Sequence, residues 1–159
     1  MSNDKFMIHF ADYDGDVVAM PLRNILGVAT KVRQDDDSQQ NVATMLLETD
    51  GGVQTLPLKD AQSTIEIANT IREQGYPIDF GTDARSGQVA WFRADKVEFV
   101  TRLKIDDIDQ KITQVGLGAR ENGPFGPSPE GVHLTETVEE VVASVNAAIH
   151  AKQEAPQPA

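Results

Sequence analysis

The sequence predicts an α+β chain built as a tandem duplication. Two strand-rich units, each closed by one amphipathic helix, follow one another and pack together. Three observations predict it. Apolar residues alternate at period two in short runs bounded by glycine turns. Two stretches carry helical spacing with start and stop signals. The order of these elements recurs, with Gly15, Val17, Ile25 and Val28 matching Gly87, Val89, Val97 and Val100.

The first unit is read as residues 1–75. Strands at 5–12 and 16–22 flank Asp14-Gly15, which reads as a two-residue type I′ hairpin. A strand at 24–32 follows, then a polar loop at 35–40. Strands at 41–49 and 53–58 flank Asp50-Gly51-Gly52. A helix from near Asp60 buries Ile65, Ala68 and Ile71 and stops at Gly75, with Pro77 barring continuation.

The second unit is read as residues 76–152. Ile78-Asp79-Phe80 is set against Ile8-His9-Phe10, and the turn after it is two residues longer. Along 96–105, Val97, Phe99, Leu103 and Ile105 share one face, and Lys96, Glu98, Arg102 and Lys104 share the other. Val42, Met45 and Leu47 match Ile112, Val115 and Leu117, and Gly52 matches Gly131. Thr137 and Glu140 form a capping box, each satisfying a backbone donor of the first turn. Val138, Val141, Val142, Val145 and Ile149 then share a stripe. They are mostly β-branched and stiff, so the helix needs a sheet to lie on. Residues 153–159, with Pro156 and Pro158, read as a disordered tail.

Composition narrows the function classes. Net charge is −11, with 12 acidic against 6 basic side chains in 1–76 and 13 against 8 in 77–159. Such a surface repels phosphate backbones, so no direct nucleic-acid contact is expected; it could mimic DNA or be an ordinary solvated surface. The chain has no cysteine, which removes disulfides and thiol chemistry. The first ten residues lack the long apolar run of a secretory leader, and no apolar run is long enough to span a bilayer. A cytoplasmic setting is the simplest expectation, or a host cytoplasm or virion if the chain is viral.

The order hairpin, strand, hairpin and acidic helix resembles the small flagellar FlbD-like family. Asp14-Gly15, Asn24-Ile25, Thr49-Asp50-Gly51-Gly52 and Thr137-Val138-Glu139-Glu140-Val141 carry the resemblance. The tandem arrangement and the inserted residues 121–130 depart from it. The resemblance implies a non-catalytic regulatory or assembly role, with no active-site residues to carry over.

No catalytic constellation is expected, and no cofactor. Asp12, Asp14 and Asp16 alternate like the start of a calcium loop, but Arg23 stands where the distal glutamate would be. Asp35-Asp36-Asp37 and Asp106-Asp107-Asp109 read as solvated loops or as sites for a cation or basic partner. Gly116-Leu117-Gly118-Ala119-Arg120 with Gly123 leads into prolines that cannot open the helix a phosphate loop needs. His9, His133 and His150 lie in separate elements.

The expected function is binding or assembly through protein–protein contacts, with the chain itself as the first partner. Phe125, on a proline-stiffened excursion, and the adjacent rings Trp91 and Phe92 are the candidate partner anchors. Adjacent strand residues face opposite ways, so one ring must leave its unit's core for an interface. The alternative is a small anionic ligand or nucleotide bound in a pocket between units or subunits near Arg93, Arg102 and Arg120.

Overall fold

The computed structural model describes residues 6–35, 38–49, 52–60, 62–103, 111–117 and 131–154. Its architecture is α+β, with antiparallel sheets and two helices. The first half runs β1 (Met7–Ala11), β2 (Val17–Pro21), a 3-10 turn (Leu22–Asn24), β3 (Ile25–Asp35), β4 (Ser38–Thr49), β5 (Gly52–Pro57) and α1 (Ile65–Glu73). The second half runs β6 (Ile78–Thr82), β7 (Val89–Arg93), a 3-10 turn (Ala94–Lys96), β8 (Val97–Leu103), β9 (Ile112–Leu117), β10 (Gly131–Leu134) and α2 (Val138–Glu154).

The strands do not divide into one sheet per half. The largest sheet has the order β5-β4-β3-β7-β6, so the second hairpin joins the first meander. Gly27 pairs with Phe92, and Val28 with Trp91. The approach requires a glycine, since a Cβ at position 27 would lie 2.4 Å from the Trp91 carbonyl oxygen. The other sheets are β1-β2 and β10-β9-β8.

The five-stranded sheet buries both faces. On one, Ile25, Val28, Met45 and Trp91 pack against Ala68 and Ile71 of α1, with Ile8, Phe10 and Met20 of the first hairpin beside them. On the other, Leu26, Ala29, Leu46, Ala90 and Phe92 meet Val115, Leu117, Val132 and Leu134, capped by Val141 and Val145 of α2. Burial on both faces explains why Ile25–Ala29 is a continuous apolar run.

Local chemistry sets the element ends. Thr137 N–H donates to Glu140 Oε1 and Glu140 N–H to Thr137 Oγ1, both at 3.1 Å, which is the capping box. Gly75 takes φ of 101° just beyond α1. The helix itself begins at Ile65, after a 3-10 turn at Gln62–Thr64, not near Asp60. The tail reading also shifts, because α2 runs through Gln153 to Glu154.

Three strand readings are corrected. The first turn is not a two-residue hairpin. Asp12 N–H donates to Asp16 O (2.9 Å), which leaves a three-residue loop with Gly15 at φ of 90°. The polar loop at 35–40 is mostly strand, since Asp35 pairs with Ser38. Along β8 a bulge skips Glu98, so Val97 and Val100 share a core face and Phe99 turns over Gly116.

Candidate functional site

The predicted anchor rings lie inside the chain. Trp91 and Phe92 are both fully buried, on opposite faces of the central sheet. Trp91 packs with first-half residues, and its Nε1–H donates to Thr64 Oγ1 at 2.9 Å. The outward ring thus fills the contact between the halves. Phe125 and Arg120 lie outside the described residues, as do Asp36, Asp37, Asp106, Asp107 and Asp109.

Arg93 is buried, and each of its three guanidinium nitrogens donates a hydrogen bond. Its Nη2 and Nε donate to the Asp95 carboxylate at 2.6 and 3.0 Å, and its Nη1 donates to Arg23 O at 3.1 Å. The guanidinium also lies 4.1 Å from the Tyr76 ring centre. A planar fork held this way fixes the two 3-10 turns against one another. It is not offered to an anion. Arg102 is exposed on β8, whereas Arg93 is buried at the end of β7.

Two buried carboxylates matter that sequence reasoning passed over. Asp83 is 1% exposed. Its Oδ1 accepts from Arg85 N–H (2.8 Å) and Ser86 N–H (3.1 Å), and its Oδ2 accepts from Thr30 N–H (2.8 Å) on β3. Asp12 occupies the same place in the first turn and accepts from Asp14 and Asp16 N–H, but in the open. Aligning Asp12 with Asp83 was the available signal. The bridges Asp12–Leu58 and Asp83–Leu134 set the first strands of the halves 71 residues apart, one more than matching Ile8 to Ile78.

Asp79 is the second. Its Oδ1 accepts from Phe80 N–H at 2.9 Å and from the Ser144 hydroxyl of α2. Burial raises its carboxyl above the ordinary carboxylate value. The Ser144 and Phe80 hydrogen bonds oppose the rise, and Glu136 adds to it. A raised folded-state pKa means that the native chain holds this proton more tightly than the unfolded chain does. The associated stability is present at acid pH, and it is lost as pH climbs from the unfolded value through the raised folded one. Asp79→Asn keeps the accepting oxygen and removes the charge. In urea titrations across that window, the difference in stability between Asp79→Asn and the parent should grow with pH. A constant difference would contradict the assignment.

Among the described residues, most of the exposed large apolar side chains lie on or beside the first hairpin. Val17 is 75% exposed and Met7 55%, with Phe6 exposed beside them. Met7, His9 and Ala11 on β1 and Val17 and Ala19 on β2 form its outward face. The corresponding face of β6–β7 carries Trp91 and is covered by the first half. Beside β1 lies a groove of about 270 Å³, lined by Met7, Ile8, His9, Glu66, Ile67 and Thr70. Among the described residues no cluster of three His, Asp or Glu could hold a metal, and no helix is long and apolar enough to cross a membrane. The chain matches no protein-family model, no curated protein and no solved structure.

Proposed function

We propose that the chain is a tandem duplication, residues 1–75 and 76–152, that works as a non-enzymatic binding or assembly protein through protein–protein contacts. Its own copies are the first partners, in a closed symmetric oligomer within the cytoplasm. A viral accessory or structural protein and a bacterial regulator both act in this manner, and the flagellar resemblance points the same way.

Several matches support the duplication. Each half runs hairpin, 3-10 turn, three-stranded meander and helix. Each third strand has its bulge one residue in, between Ile25 and Gly27 or between Val97 and Phe99. Each first turn has an aspartate accepting from backbone N–H groups and a glycine at positive φ.

The observation that carries the functional reading is an asymmetry between equivalent hairpins. The second gives β7 to β3 and buries its outward face. The first leaves the outer edge of β2 without a strand among the described residues, beneath exposed Val17. An open edge under an apolar face is a template for another chain. Light scattering over a concentration series tests this. The parent should show a mass at least twice the single-chain 17.3 kDa. Val17→Glu, on an already acidic chain, should return the single-chain mass with an unchanged circular dichroism spectrum. A parent that stays at the single-chain mass at every concentration would overturn the self-assembly reading.

A further inference from the structure

The outer edges of β1 and β6 end differently. In the first hairpin Phe6 O accepts from Leu22 N–H and Asp12 N–H donates to Asp16 O. The alternation of an antiparallel pair then turns the backbone groups of Met7, His9 and Ala11 away from β2. In the second hairpin Ala94 N–H donates to Pro77 O and Asp83 N–H to Gln88 O, so Ile78, Phe80 and Thr82 point away from β7. The edges are in phase where Tyr13 N–H meets Pro57 O and Ala84 N–H meets His133 O. Counting back, His9 stands for Phe80, Ala11 for Thr82 and Ile8 for Asp79.

The second half closes this edge with its own side chains. Phe80 N–H donates to the Asp79 carboxylate and Thr82 N–H to Glu136 Oε1. Ser144 then ties α2 to Asp79. Among the described residues no first-half side chain takes those roles. Ile8 replaces Asp79. Ile67 replaces Ser144, each lying one residue before the core positions Ala68 and Val145. Two isoleucines cannot make that hydrogen bond, and strand and helix part around the 270 Å³ groove.

We propose that this groove docks an extended segment of a separate protein, added as a strand to the open edge of β1. One apolar side chain of the segment lies between Ile8 and Ile67, and a Lys or Arg lies beside Glu66. The inference deepens the protein-contact reading and rests on it. Outward backbone groups of Met7 and His9 recognise a main chain, and alternate side chains supply specificity. The volume falls below the ~300–1,000 Å³ usual for small-molecule clefts. Glu66 is exposed in the groove wall of a chain with net charge −11, which selects a basic residue.

The test uses the full chain with two fluorescein-labelled peptides, one alternating valine and lysine and one alternating valine and glutamate. Fluorescence anisotropy should show the lysine peptide binding at least about tenfold more tightly. Glu66→Lys, at an exposed position, should reverse the preference, and Ile67→Ser should weaken binding about tenfold. Amide exchange at His9 and Ala11 should slow when the lysine peptide is bound. Equal affinity for the two peptides, an unchanged preference in Glu66→Lys, or protection confined to other strands would overturn the proposal. Displacement of the peptide by excess unlabelled chain would place a second copy in the groove, and would also overturn it. Light scattering on the same samples separates the two readings. A chain that oligomerises but ignores both peptides loses the groove and keeps the assembly. A monomer that binds the lysine peptide does the reverse.

Discussion

Trp91→Ala is expected to cost about 3–5 kcal/mol of stability, the range for emptying a large buried aromatic site. The ring is fully buried, and its indole N–H is bonded to Thr64 Oγ1. Thr64 is itself buried and would be left without that partner. The cavity opens where β7 meets β3, among Ile25, Val28, Met45 and Ile71, so the walls belong to rigid elements of both halves. In thermal unfolding the change should lower Tm by roughly 10 °C or more. Trp91→Phe should recover most of the packing and none of the hydrogen bond. A loss below about 1 kcal/mol would show that the ring does not hold the halves together.

Asp83→Ala is expected to cost about 3 kcal/mol, because it strips a charged acceptor from three backbone donors. One of them, Thr30 N–H, is buried on β3, away from bulk solvent. Asp12→Ala removes the same turn feature from the first hairpin. There the freed N–H groups are solvated, and the expected cost is under about 1 kcal/mol. Urea midpoints of the two variants compare them directly. Equal costs would mean that Asp83 supports only its own turn and not the joint between the halves.

These residues mark what could be read in the chain. The capping box, the Gly75 stop and the glycine turns carry local signals, because a special φ or an orphan backbone donor must be met nearby in sequence. The Trp91-Phe92 pair was legible as a ring turned away from its own core, since strand geometry leaves no other arrangement. The β3–β7 pairing was not. Pairing between strands some 60 residues apart leaves no local mark beyond Gly27, whose need for close approach is visible only once Trp91 lies opposite. The phase of β8 was misread for a related reason. A bulge at Glu98 moves every later side chain to the other face, and alternation alone cannot reveal it. In the sequence Asp79 reads as a strand residue like any other; only the fold sets Ser144 of α2 against it.

The candidate surface was less legible still. Arg93 looked like a ligand group and is a buried clamp on Asp95 and Arg23. Val17, matched to Val89 in the repeat, is the most exposed of the large apolar side chains described. The difference is set by partners far along the chain. β7 finds β3, and β2 finds no strand but β1 among the described residues.

Amide hydrogen exchange of the full chain at rising protein concentration tests most directly whether the first hairpin is the assembly surface. Val17 and Ala19, whose N–H groups face away from β1, should exchange more slowly as concentration rises, while amides of β3 and β4 keep their rates. Exchange at Val17 and Ala19 that does not change with concentration, or slowing confined to β5 or β8, would contradict the account.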